Sequence, residues 1–201
     1  DMGKGAIFVG KQDLAELSDN DIRTCIRTVT QEPFLFSDTV ENNIRFTEAI
    51  NESESPEHFR KILRSAAMEE EVGRFPEQEK TMVGEKGIML SGGQKQRISL
   101  ARAMLKPCSL LILDNVLSAV DYETESFLLQ EIHKLLKPEN GMPALAGSLL
   151  IVSHRVTSME KADWILVLDE GNIVDQGVHA DLIQRPGYYQ QMWELQNENS
   201  S

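Results

Sequence analysis

Apolar positions along this chain follow two rhythms. Leu110 to Leu113 and Ser148 to Val152 form short continuous apolar runs with the length of buried strands, and Ala6-Ile7-Phe8-Val9 and Ile26 to Val29 read as shorter strands. The first of these stops at Gly10-Lys11. Helical spacing appears elsewhere: Val40, Asn43 and Ile44, then Phe59, Ile62, Leu63, Ala66 and Ala67, within a polar stretch from residue 38 to about 75. Asp21 to Cys25 reads as a helical or turn segment. A helix is expected from about Gln96 to Leu105, closed by Pro107, another from Glu123 to Leu136, and a short one from Thr157 to Ala162. Trp164 to Leu168 and Ile173 to Gln176 flank the turn Asp169-Glu170-Gly171-Asn172 as a strand pair. The tail carries Tyr188, Tyr189, Met192, Trp193 and Leu195 at helical spacing, a core-packing pattern. Thr47 to Pro56 is acidic and serine-rich, a solvated loop. Strands separated by helices predict a parallel sheet covered on both faces.

Composition narrows the function more than the fold. The 201 residues suffice for one sizeable core. With 20 basic and 32 acidic side chains the net charge is −12, so the overall field repels a phosphate backbone. Nucleic acid is therefore a poor partner, and any phosphate must be held by local geometry. Cys25 and Cys108 sit at no metal-ligand spacing and read as reduced thiols. No apolar run approaches the ~20 residues needed to cross a bilayer, and the N-terminus does not read as a signal peptide.

Candidate chemistry is concentrated in a few short segments. Leu90-Ser91-Gly92-Gly93-Gln94-Lys95-Gln96-Arg97 places Ser-Gly-Gly at a helix start, where free backbone N–H groups and the helix dipole favour an anion. Leu110 to Leu113 ends in Asp114, and a carboxylate at the end of a parallel strand can hold Mg²⁺ or cap a helix. Ile151-Val152-Ser153-His154-Arg155 sets a histidine directly after a buried strand, a position that is more often structural than catalytic.

Taken in order, these segments resemble the ATPase domain of ABC transporters. The octapeptide from Leu90, followed by Ala101-Arg102-Ala103, is similar to the family signature. Leu110 to Asp114 resembles Walker B, Leu117-Ser118-Ala119-Val120-Asp121 the D-loop, His154 the switch histidine, and Val29 to Phe36 the Q-loop with Gln31. Thr81-Met82-Val83-Gly84-Glu85-Lys86-Gly87 resembles an exporter segment that touches the membrane domain. The resemblance runs from about Ile7 to Tyr189. It implies a RecA-like P-loop NTPase α/β core, residues 1–37 and 97–201, with an antiparallel β edge and an inserted α-helical subdomain, residues 38–96. The ligands it implies are ATP and Mg²⁺. Asp114 and Gln31 would serve the metal, His154 the γ-phosphate, and Asp121 the interface. Ser91, Gly92, Gly93 and Gln94 would contact ATP held by a second ABC ATPase domain docked head to tail. The other implied partner is a transmembrane domain, which places the chain at the cytoplasmic face of a membrane. A soluble ABC ATPase and a non-hydrolysing regulatory domain are the alternatives.

Two departures stand out. The near-match to a P-loop, Gly5-Ala6-Ile7-Phe8-Val9-Gly10-Lys11-Gln12, has Gln12 in place of the metal-binding hydroxyl and strand formers where small residues should form an anion nest. It is expected to be an edge hairpin, with the true P-loop upstream of residue 1. The family's efficient members carry glutamate where this chain has Asn115, and a neutral amide cannot act as a general base. The fragment by itself is therefore expected to be inactive, and its own site in a full protein weak.

Overall fold

The computed structural model describes residues 7–46, 55–85, 87–137 and 144–198. The chain opens with a hairpin, β1 (Phe8–Val9) against β2 (Gln12–Asp13), pairing Val9 with Gln12 across Gly10-Lys11. Gly10 takes φ +62°, a conformation that glycine adopts without steric cost. The segment is thus a hairpin, as the family register implies, and it stands as a two-stranded sheet of its own.

Helix α1 (Asp19–Cys25) follows, capped by Ser18, and leads into β3 (Ile26–Val29). Three helices come next: α2 (Val40–Arg45), α3 (Pro56–Ser65) and α4 (Glu69–Gly73). Thr39 and Ser55 cap the first two through their side chains, and Pro56 opens α3, where its missing N–H would have no helical acceptor. The loop expected over Thr47 to Pro56 lies largely outside the described residues.

Helix α5 (Gly92–Met104) precedes β4 (Cys108–Asp114), α6 (Tyr122–Leu135) and β5 (Ala146–Val152). Strands β3, β4 and β5 form one parallel sheet in that order, pairing Val29 with Leu113 and Asp114 with Val152. After a 3₁₀ turn at Val156–Met159, β6 (Ile165–Asp169) and β7 (Asn172–Gly177) make an antiparallel pair, followed by α7 (His179–Leu182) and α8 (Tyr188–Glu198). The arrangement is the α/β fold expected, a parallel sheet with antiparallel strands beside it.

Helix α5 begins at the Ser-Gly-Gly expected to open a helix, because Ser91 and Gln94 close a capping box that pulls the glycines into the first turn, and the run expected from about Gln96 is its continuation. The segment after His154 forms a shorter 3₁₀ turn instead of the helix expected over Thr157 to Ala162.

One hydrophobic core joins α2, α3, α5 and α6 to the sheet: Val40, Ile44, Phe59, Ile62, Ile98, Leu100, Leu111, Leu113, Leu128 and Ile132 are all buried in it. The opposite side of the sheet is not covered among the described residues. Leu150 and Val152 of β5 stand exposed, as do Leu166, Leu168, Ile173 and Val174 on the hairpin. Both-face coverage, expected from the apolar runs, therefore holds for one face only. Among the described residues, no helix is long and apolar enough to cross a membrane.

Candidate functional site

Three of the candidate residues meet at one edge of the sheet because their strands run parallel and side by side. Gln31 lies two residues past the end of β3, Asp114 ends β4, and His154 lies two residues past the end of β5. All three are exposed. Ligands of α/β sheets bind at this carboxyl edge. Among the described residues no cluster of three or more His, Cys, Asp or Glu could cage a metal. Mg²⁺ at a phosphate site needs no such cage, since one or two protein oxygens suffice beside phosphate and water. Asp114 and Gln31 offer one carboxylate and one amide oxygen, a donor set that fits this mode.

Asn115 turns the chain out of β4. Its φ is +51°, a left-handed value that asparagine tolerates better than most side chains. Its N–H donates to the Val152 carbonyl at 2.8 Å, and its own carbonyl accepts the Ser118 hydroxyl at 2.8 Å. The residue thereby fixes both the exit from β4 and the loop that follows.

The signature segment is built by reciprocal capping. Ser91 Oγ accepts the Gln94 N–H at 3.2 Å, and Gln94 Oε1 accepts the Ser91 N–H at 2.8 Å. Gln94 Nε2 donates to Glu71 of α4 at 2.8 Å, so both ends of this amide are engaged. Arg97 reaches the other Glu71 oxygen at 2.5 Å and the Ala67 carbonyl at 2.9 Å. Ser91 and Gly92 remain exposed, and a β-carbon at Gly92 would meet nothing within 4 Å. At Gly93 it would lie 2.9 Å from the Ala119 carbonyl oxygen, so glycine here lets the 117–121 loop approach the helix start. Helix α5 has no acidic residue of its own in its first turn, and the Glu71 carboxylate beside its start is engaged by Gln94 and Arg97.

Asp121 is the N-cap of α6. Its two carboxylate oxygens accept the Thr124 N–H at 2.9 Å and the Thr124 hydroxyl at 2.8 Å. Those bonds, the backbone one foremost, hold its carboxyl below the usual carboxylate range. The carboxylate thus stays charged at the surface while serving the helix.

Residues that position the site lie both inside the candidate segments, as Gln96 and Arg155 do, and outside them, as Gln196 and Glu125 do. Gln96, only 4% exposed, donates from Nε2 to the Gln31 carbonyl at 3.1 Å and ties α5 to the loop after β3. Gln196 brackets the turn at His154, donating to the His154 carbonyl at 2.8 Å and accepting the Val156 N–H at 2.9 Å. Arg155 donates to the Ser118 and Val120 carbonyls and pairs with Glu125. For Glu125 a signal was present: it falls in register with Leu128 and Ile132 on the buried face of α6, an acid on an apolar stripe.

Residues 2–118 match the family described as ABC transporter. The chain belongs to the ABC transporter family. Among relatives, the "Iron-sulfur clusters transporter atm1, mitochondrial" of Neurospora crassa is 38% identical over 98% of this chain and 27% of its own length. An "ATP-dependent lipid A-core flippase" of Yersinia pestis is 37% identical over 98% of the chain and 32% of its own. The solved structure of a bacterial Atm1-family ABC exporter with ATP bound superposes with a TM-score of 0.79 at 32% identity, covering 92% of this chain and 31% of that one. This ABC chain thus has the RecA-like fold of exporter ATPase domains and spans about a third or less of the relatives it matches.

Proposed function

We propose that this domain powers an exporter by closing head to tail on a second ABC ATPase domain with ATP between them. The observation that carries the reading is the start of α5. Ser91 and Gly92 are exposed at the N-terminal end of a 13-residue helix, so they can reach a phosphate held by another subunit. Ser91, Gly92 and Gly93 then complete the partner's site, and Gln94 braces them through the capping box and Glu71. At this chain's own site Gln31 and Asp114 hold Mg²⁺, His154 orients the γ-phosphate, and Asp121 lines the interface. Bound Mg²⁺ offsets charge on the phosphates, and the protein's part is to fix positions around them.

Asn115 makes the local site weak. Its amide can neither accept a proton from water nor polarise it as a carboxylate would. The phosphate-cradling loop belongs, on this reading, to another part of the longer protein. The exposed apolar side chains of β5, β6 and β7 support that view, since a further strand and helix laid there would bury them. The helical lobe is residues 38–96 and the RecA-like core residues 1–37 and 97–201. Movement passes to a membrane domain at the cytoplasmic face through Gln31 to Phe36 and the exporter-like segment, whose Gly84 lies against Phe36 and Ser37. Thr39 bridges Met82, and exposed Phe34 and Phe46 flank Phe36 at ring distances of 4.8 and 4.0 Å.

The test is ATP turnover by the full-length pair carrying Ser91→Arg. A guanidinium side chain at the cap blocks the phosphate position, and turnover should fall about 100-fold. Undiminished turnover would remove the signature's role. Asn115 also favours a second reading, a domain that binds ATP and regulates without turning it over; ATP binding with no turnover even after Asn115→Glu would support it.

A further inference from the structure

Half-buried Arg155 and buried Glu125 form a joint that the nucleotide chemistry above does not use. Glu125 is 2% exposed, yet both its oxygens are occupied: Oε2 accepts from Arg155 Nη1 and Oε1 from the Ser158 hydroxyl. Arg155 spends its other donors on backbone. Nη1 and Nη2 each reach the Val120 carbonyl at 3.2 Å, and Nη2 reaches the Ser118 carbonyl at 3.4 Å. Arg155 directly follows His154, while Ser118 and Val120 precede Asp121. One guanidinium therefore joins the turn that bears the switch histidine to the loop that ends in Asp121. A planar fork with five donors can make several such bonds at once, which a lysine ammonium cannot reproduce in the same geometry.

We infer that Arg155 is a positioning residue that locks the 117–121 loop to the 153–158 turn, so that His154 and Asp121 move as one body. The role rests on the reading of the site given above. The 117–121 loop lies against Gly93 at the start of α5, and the 153–158 turn follows the strand neighbouring Asp114. Loosening the joint would thus disturb the groups facing both nucleotides of a closed pair. Glu125 supplies the anchor: a carboxylate buried on α6 and bonded to both Arg155 and Ser158 resists displacement, because separating the ions leaves one buried without a partner.

The test uses the full-length transporter and two readouts. Arg155→Met alone strands a buried carboxylate and risks misfolding, so the decisive variant is the neutral double Arg155→Met with Glu125→Gln, which removes both charges together. Hydrogen exchange without nucleotide should speed up about tenfold in the peptides covering 117–121 and 153–158, with β4 and β5 unchanged. Turnover should drop about tenfold in kcat with KM for ATP within about twofold, the pattern of lost positioning. Arg155→Lys should recover part of both. Exchange that rises equally in β4 and β5 would overturn the inference, since the pair would then only hold the fold together. So would unchanged exchange in the two loops, or unchanged kcat when exchange has risen. The exchange result stands apart from the ATP reading, whose own failure would show as intact turnover in Ser91→Arg.

Discussion

Around β4 and α5 nearly every apolar side chain finds a partner, whereas on β6 and β7 most of them face outward. Leu111 and Leu113 are packed under α5 and α6, and Ile98, Leu100 and Met104 close the same core from the helix side. On the hairpin, Ile165 and Val167 point into a small cluster with Leu182 and Tyr189, while Leu166, Leu168 and Ile173 on the other face are exposed. Both regions have strand-like sequences of similar hydrophobicity. What separates them is place in a sheet: β4 is bonded to a strand on each side and lies under α5 and α6, whereas the hairpin is a two-stranded sheet of its own. The first region therefore stores stability, and the second offers surface to a neighbouring layer.

The sharpest way to break this contrast is to remove the same atoms from each region. Leu113→Ala should cost about 3 kcal/mol in denaturant unfolding, because the side chain is 1% exposed and its cavity cannot collapse. Leu168→Ala, at 63% exposure, should change stability by less than about 0.5 kcal/mol. Equal costs would mean that the hairpin face is covered after all.

A second comparison lies within the signature itself. Gly93→Ala pushes a methyl group to 2.9 Å from the Ala119 carbonyl oxygen and should cost about 1–2 kcal/mol. Gly92→Ala meets open space and should be neutral or slightly stabilising, judged by unfolding without nucleotide. A reversed order would detach the 117–121 loop from α5.

Asn115→Glu acts on the edge of the buried region and should show opposed effects. Turnover by the full-length pair should rise as a carboxylate gains the position of the attacking water's base. Stability should fall by about 1 kcal/mol, because φ +51° suits glutamate less than asparagine. A rise in turnover without loss of stability would show that the backbone relaxes there.

The smallest effect belongs to the hairpin cluster. Tyr189 is pushed up to about 12, chiefly by burial and then by the Glu160 carboxylate. Because the folded value lies above the unfolded one near 10, this group's contribution is complete below pH ~10 and is lost as pH rises toward 12. Spectroscopic titration should find one of the three tyrosines ionising last, and Tyr189→Phe should remove that step.

Much of the candidate site was legible because its chemistry is local. Ser-Gly-Gly before a helical pattern, a carboxylate closing an apolar strand and a histidine just after another are each visible within a few residues. Ser-Gly-Gly does open α5, and what local spacing leaves out is the reciprocal bonding of Ser91 and Gln94 that draws both glycines into the first turn. Coverage of the sheet was misjudged because apolar runs report what can be buried, and burial also requires a layer to lie on top.

By itself, the order of residues determined which segments become strands and helices, and which side chains could meet a phosphate. Those choices depend on period, capping and backbone preference, all settled within a turn or two. Tertiary structure alone decided which distant groups hold one another. Gln96 donates to Gln31 across 65 positions, Arg155 to Glu125 across 30, and Gly93 yields space to Ala119. Such pairings follow from strand order and helix packing, where contact is set by the fold as a whole and leaves no trace in local spacing.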